Sequence, residues 1–256
     1  RNTSNESLRK NFTTPVAAGL ISLGVFFALG VRDLYALLSF GLCVFVAVAL
    51  STEFHNGTRA RMRSTTESYP VALYRLCTKS RRRYGGYLTH LALVFLFVGF
   101  TGKAFTQEYE FVLEKGTSRQ IGDYRLTFES LAFAEASNHS TTAAALGLHH
   151  SDDFVGTLLP ERRYYPAFDQ GTTEVSIYST LREDFYVILI GSAAGRSAKF
   201  KVYINPLINF VWLGSVVLVL GALWAMWPTS RDRRLAQADR ASAAGLLPAH
   251  ENSHHA

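Results

Sequence analysis

The feature that most constrains this chain is a set of long apolar blocks that contain almost no charged side chains. Each block approaches the ~20 residues that a helix needs to cross a bilayer. The blocks run from Pro15 to Val31, Leu34 to Phe54, Tyr84 to Gly102 and Pro206 to Trp227. A charged pair, Arg32 and Asp33, lies between the first two blocks. These charges would be costly inside one continuous span, so the two blocks are predicted to be separate helices. The chain is therefore predicted to be an integral membrane α-helical protein with about four transmembrane helices.

The basic residues lie beside the apolar blocks and account for the net charge of +6. Between His55 and Arg83 the only acid is Glu67, against eight basic residues: Arg59, Arg61, Arg63, Arg75, Lys79, Arg81, Arg82 and Arg83. The positive-inside rule places this segment in the cytoplasm, so the third block runs outward and the fourth returns inward. Because membrane orientation explains the charge, no nucleic-acid partner is expected.

The polar segment between the third and fourth blocks predicts a β-rich domain on the extracytoplasmic side. Apolar, aromatic and β-branched residues partly alternate there, in the runs YEFVLEKG, DYRLTFESLAF, TEVSIYSTL, DFYVILIG and AKFKVYIN. Such strands imply a sandwich or a partly open barrel, with a long loop from Ala136 to Asp153. Neither Cys43 nor Cys77 lies in this domain, which excludes a disulfide framework, and both thiols are expected to be inert.

These patterns predict the organisation of the whole chain. The segments are a transmembrane hairpin (1–57), a basic cytoplasmic loop (58–83), a transmembrane helix (84–102), a periplasmic β-rich domain (103–204), a transmembrane helix (205–228) and a disordered cytoplasmic tail (229–256). Asn205 followed by Pro206 is typical of an N-cap with proline at the first helical position, and predicts the start of the last helix. The tail lacks apolar periodicity, which predicts disorder.

One ionisable residue stands inside an apolar block. His90 lies seven residues beyond Arg83, which places it roughly 10 Å inside the cytoplasmic boundary. An imidazole at this depth needs a partner and marks a candidate functional site. It can form an interhelical hydrogen bond, which the residues alone favour, or ligate haem iron. Gly85, Gly86 and Thr89 would let a flat macrocycle or a neighbouring helix approach.

The β-rich segment carries a second group of candidate residues. Its charged and tyrosine side chains are Arg162, Arg163, Tyr164, Tyr165, Glu174, Arg182, Glu183 and Asp184. Paired arginines can clamp carboxylates such as haem propionates, although strand-face ion pairs are the simpler interpretation. No nucleophile, base and acid occur there at diagnostic spacing, so catalytic residues are unassigned. His139, His149 and His150 are assigned to solvent.

The whole pattern resembles the C-terminal part of the CcmF-type cytochrome c biogenesis proteins, including their nitrite-reductase paralogues. The most specific segments are GGYLTHLALVFLFVGFTGKAF, PERRYYPAFDQGTTEVSIYSTLREDFYVILIG and KVYINPLINFVWLGSVVLVLGALWAMWP. The resemblance implies a component of the haem lyase, which helps reduce haem and attach it to apocytochrome c outside the cytoplasm. It also implies haem b as cofactor, with His90 as one axial ligand of its iron.

The same resemblance implies partners and a location. The partners are apocytochrome c, a haem chaperone, other maturation subunits and quinol, and the location is the bacterial inner membrane. The family's tryptophan-rich haem motif, its periplasmic histidines and its first membrane histidine are absent from this sequence and are expected upstream. The chain begins with Arg1, so it is expected to supply one haem ligand rather than a complete enzyme.

A second hypothesis keeps the membrane anchor but removes the cofactor. In that interpretation the β-rich domain docks apocytochrome or partner subunits, and His90 bonds only a neighbouring helix. A transporter finds little support, because no broken helices or paired intramembrane charges appear in the sequence.

Overall fold

The chain was analysed as a computed structural model, which describes residues 5–193, 196–228, 236–238 and 240, with side chains from residue 12 onward. The α-helices are α1 (Asn5–Ala28), α2 (Leu34–Ser64), α3 (Tyr69–Lys79), α4 (Arg81–Thr101) and α5 (Asn209–Met226). A short 3-10 helix, Gly102–Phe105, extends α4.

Among the described residues, three segments are long and apolar enough to cross a membrane: Leu34–Ser64, Arg81–Phe105 and Asn209–Met226. The apolar part of α1, Phe12–Ala28, is shorter. The prediction of several membrane helices is thus confirmed for three of the four apolar blocks, and the span predicted for the first block stays a prediction. The first two helices separate at the charged pair, since α1 ends at Ala28 and Asp33 accepts the backbone N–H of Ala36 at 2.7 Å, which caps α2.

The basic segment 58–83 is helical, which corrects its description as a loop. α2 continues to Ser64, and α3 fills most of the remainder, with proline in its first turn. Glu67 fixes the connection, because its carboxylate accepts hydrogen bonds from Arg61 at 2.8 Å and from Arg75 at 2.5 Å. The cytoplasmic placement of this segment stays a prediction.

Two antiparallel sheets form the β-rich domain and confirm the predicted sandwich. The strands are β1 (Gln107–Glu114), β2 (Ser118–Ile121), β3 (Tyr124–Glu135), β4 (Ser140–His150), β5 (Asp153–Leu158), β6 (Glu161–Tyr165), β7 (Gln170–Glu174), β8 (Ser176–Ser179), β9 (Glu183–Ala193) and β10 (Ser197–Pro206). One sheet has the order β1-β10-β9-β8 and the other β2-β3-β4-β6-β7, with β5 also paired to β4.

Alternate residues of both sheets form one hydrophobic core. In β10 the buried positions are Ala198, Phe200, Val202 and Ile204, the period-2 pattern of a strand with one face inward. Phe200 meets Phe128 of the other sheet with ring centroids 5.4 Å apart. Each fully buried side chain of this size stabilises the fold by about 1.5–3 kcal/mol relative to an exposed one.

Two boundary predictions in this domain were wrong. The stretch predicted as a long loop contains β4, which pairs with β3 from Tyr124↔His150 to Glu135↔Ser140. The predicted N-cap at Asn205 is instead strand, because β10 pairs with β9 as far as Pro206↔Glu183. The chain then turns at Leu207, whose φ is +63°, before α5 begins at Asn209.

Neither cysteine forms a disulfide in the part of the chain that the structure describes; Cys43 is buried and Cys77 is half-buried. The predicted disordered tail, 229–256, lies outside the described residues except at 236–238 and 240.

Candidate functional site

His90 projects from an exposed face of α4. Its Nδ1 atom lies 2.7 Å from the carbonyl oxygen of Gly86, one turn earlier. A carbonyl can only accept, so Nδ1 donates, and in the neutral imidazole Nε2 is then the nitrogen with the lone pair. A backbone bond of this kind sets the tautomer and orients the ring of a metal-binding histidine. The sequence alone could not supply this detail, although the i−4 spacing permits it.

The small residues around His90 divide between two faces of α4. A side-chain carbon added at Gly85 would lie 2.7–2.8 Å from Ala225 of α5, and one added at Gly221 would lie 3.1 Å from the Thr89 nitrogen. Gly85 and Thr89 therefore form a small-residue surface against α5, of the kind that brings membrane helices close together. Gly86 instead has nothing within 4 Å of such a carbon. The sequence predicted space beside these glycines for a macrocycle or a helix. That space is open at Gly86, whereas α5 fills it at Gly85.

The residues around this open face can accept a flat, largely apolar group. Leu93, one turn after His90, is 41% exposed, so the imidazole is bordered by apolar surface. One turn before it, the Tyr87 hydroxyl accepts a hydrogen bond from Arg83 at 2.9 Å and donates to Glu53 at 3.1 Å. Arg83, Tyr87 and Glu53 thus bond to one another, whereas the exposed His90 side chain lies beside apolar surface. Its imidazole fits the role of an axial ligand of haem iron.

The paired arginines of the β-domain do not form a common clamp. Arg163 contacts Glu161 at 3.1 Å and Glu174 at 3.5 Å. Arg162 donates to the backbone oxygen of Ile190 at 2.5 Å, because neighbouring side chains in a strand point to opposite faces. Ordinary ion pairs explain Arg163, and the carboxylate clamp predicted as an alternative is not formed.

The histidines assigned to solvent occupy a strand or its turn. His149 and His150 end β4, and His139 lies in the β3–β4 turn, where its ring is 5.2 Å from that of Tyr165. His149 is half-buried, and its Nδ1 atom has no hydrogen-bond partner among the described residues. Of these three histidines only His150 is an exposed side chain, and His139 is half-buried like His149, so the solvent assignment holds for His150 alone.

The β-domain also contains an open cleft of about 780 Å³ that sequence reasoning missed. It is lined by Asp123, Tyr124, His150, Thr180, Leu181, Arg182, Glu183, Pro206, Leu207 and Phe210. The Tyr124 hydroxyl donates to Glu183 at 3.1 Å. Burial, and then this bond, raise the pKa of Tyr124, so the phenol stays neutral at physiological pH. No local motif could have indicated the cleft, because its residues come from distant parts of the chain.

The match to a known protein family falls on the β-sandwich. Residues 104–206 match the family described as the CcmF C-terminal β-sandwich. The cytochrome c-type biogenesis protein CcmF of Haemophilus influenzae is 28% identical over 195 residues, which cover 76% of this chain and 28% of that protein. The probable cytochrome c-type biogenesis protein NrfE of Escherichia coli is 27% identical over 121 residues, or 47% of this chain and 22% of that protein.

A solved structure has the same fold. The cytochrome c heme lyase CcmF superposes with a TM-score of 0.64 at 18% identity, over 89% of this chain and 36% of that one. The resemblance to the C-terminal part of CcmF-type proteins is confirmed. The chain spans about a quarter of the length of the curated CcmF-type relatives it matches.

Proposed function

We propose that this CcmF-type chain acts in cytochrome c maturation as the part of a haem lyase that contributes His90 as an axial ligand to haem b. The observation that carries the proposal is the bond from Nδ1 of His90 to Gly86, which in the neutral imidazole leaves Nε2 as the ligating atom of an exposed side chain on α4. Its relatives are named as cytochrome c biogenesis proteins and, in one solved structure, as a heme lyase.

The residues around His90 would hold and orient the cofactor. When bound, haem b supplies a one-electron redox couple. The Gly86 carbonyl keeps the imidazole in one tautomer, the open space at Gly86 admits the macrocycle edge, and Leu93 contributes apolar surface. Packing against α5 through Gly85 fixes α4 itself. Electrons for reducing incoming haem would come from quinol.

The β-sandwich would serve the attachment step on the extracytoplasmic side of the bacterial inner membrane. Its proposed partners are apocytochrome c, the haem chaperone and other maturation subunits. The open cleft, which combines Arg182, Glu183 and His150 with apolar residues, gives the domain a concave surface for such contacts.

One observation favours the second candidate, a scaffold that docks partners without binding haem. Gly85 and Thr89 already serve helix packing, so the exposed His90 face could receive another helix in the same way. A hydrogen bond to that helix would contribute only about 0.6–2 kcal/mol.

The replacement His90→Ala separates the two functions. In an assembly co-produced with the upstream part of a CcmF-type protein, we expect the purified His90→Ala assembly to lose or shift the bis-histidine haem absorption, and cytochrome c maturation to fall. His55→Ala is the matched control. It also removes one imidazole, but His55 of α2 lies 3.4 Å from the Tyr69 hydroxyl of α3 and has no part in the proposed haem site. Wild-type haem spectra and stoichiometry in His90→Ala, with weaker recovery of partner subunits, would support the scaffold instead.

A further inference from the structure

Helix α3 is held at the boundary of the apolar blocks by its contacts with α2 and α4. The apolar blocks meet this segment at Phe54 and Tyr84. A side-chain carbon at Gly57 of α2 would collide with the Tyr84 hydroxyl and lie 3.0 Å from Leu76 of α3. Glycine thus lets α3 lie close against α2, at the level where the membrane helices leave the apolar region.

The inward face of α3 is apolar and its outward face is mixed. Ala72 is fully buried, and Leu76, one turn later on the same face, is half-buried. On the outward face, Tyr74 is 68% exposed and Val71 is 41% exposed. A helix with apolar side chains on its outward face, at this level, suits the headgroup region of a bilayer.

Exposed basic side chains occur in the last turns of both α2 and α3. Lys79 follows on α3 and Arg63 lies at the end of α2, and both are exposed. The single acid of the segment, Glu67, is bonded to Arg61 and Arg75, so it offsets charge locally and the surface stays positive. Basic side chains beside an interfacial helix attract anionic lipid at about 1 kcal/mol per charge.

We propose that α3, together with Arg63 and Lys79, forms a binding surface for the headgroups of anionic phospholipids in the adjacent leaflet. The Tyr74 and Val71 side chains enter the interface, and the two cations reach the lipid phosphates. This role is independent of haem and of His90. It goes beyond membrane orientation, because it requires a headgroup preference in the assembled protein.

Spin-labelled lipids test the proposal with the full chain in phosphatidylcholine vesicles. We expect phosphatidylglycerol to be immobilised by the protein in preference to phosphatidylcholine, and the preference to decrease with salt. The double replacement Arg63→Gln and Lys79→Gln spares the Glu67 contacts, and we expect the preference to fall about fivefold for each charge removed.

The matched control removes two exposed charges from the β-domain, Lys115→Gln and Arg196→Gln, and should keep the wild-type preference. Equal preference in wild type and the α3 double variant would overturn the proposal, as would an equal loss in the control. If the double variant does not fold, the salt titration of the wild type decides, because a salt-independent preference, or none, would also overturn it.

Discussion

At the scale of single residues, hydrogen bonds decide what a side chain can do. His90 and Tyr124 both carry a polar atom on an aromatic ring. Nδ1 of His90 bonds the Gly86 carbonyl, which leaves Nε2 for another partner, whereas the Tyr124 hydroxyl donates to Glu183. The first arrangement suits ligation and the second holds two strands together. Neither outcome follows from residue type alone.

Glu67 provides a prediction about pH at this scale. Its hydrogen bond with Arg61, followed by that with Arg75, lowers the pKa of the Glu67 carboxyl. A lowered folded-state pKa means that the ionised group stabilises the fold above its unfolded pKa, about 4.3, and that this contribution is lost as the pH falls through the folded value. We therefore expect Glu67→Gln to lower the thermal unfolding midpoint at neutral pH.

The difference between wild type and Glu67→Gln should close as the pH falls through the lowered folded-state pKa of Glu67, because the wild-type carboxyl is then protonated as well. Thermal unfolding of the full chain in detergent across this range gives the measurement. A difference that persists unchanged at acid pH would show that the ionised carboxylate does not link α2 to α3.

At the scale of elements, pattern strength decided which parts of the fold could be predicted. β9 and β10 are rich in β-branched and aromatic residues and were predicted from sequence. β4, STTAAALGLHH, was not, because Ala, Gly and Thr give little alternation. Leu146 and Leu148 of β4 are buried because β4 pairs with β3 and β5. α3 was missed for a related reason, since basic residues obscured its short apolar face.

The candidate functional residues also include some that the sequence predicted and some that it did not. His90 stood out because an ionisable residue inside an apolar block is conspicuous. The cleft of the β-domain did not, because Tyr124 and Glu183 are 59 positions apart and meet only when the two sheets close. Local chemistry on one helix can be predicted from sequence, whereas a surface assembled from several strands requires the tertiary pairing.

Two adjacent glycines of α4 give a matched test of helix packing. Gly85→Ala places a methyl group against the Ala225 backbone, whereas Gly86→Ala places it in open space. We expect Gly85→Ala to destabilise the chain by about 1–3 kcal/mol, the usual cost of overpacking, and Gly86→Ala to have a much smaller effect. Thermal unfolding of both variants in detergent checks this, and equal midpoints would contradict close α4–α5 packing.

At the scale of the whole molecule, the chain combines a membrane-embedded helical part with a compact β-sandwich. It spans only part of the length of its relatives, and the reaction proposed for it is that of an assembly. The proposed contribution of this chain is one imidazole on a well-packed helix, one folded domain and one basic interfacial surface. Their joint use depends on which side of the membrane each occupies.

Cysteine labelling measures that arrangement directly. Ser118 of β2 and Ser64 at the end of α2 are both exposed, so a difference in labelling reports the side of the membrane rather than burial. In a chain whose Cys43 and Cys77 are replaced by alanine, we expect Ser118→Cys to react with an impermeant reagent added to intact spheroplasts. Ser64→Cys should react only after permeabilisation, since the positive-inside rule keeps the basic segment in the cytoplasm. The reverse pattern would place the β-sandwich in the cytoplasm and remove it from the compartment that the proposed attachment step requires.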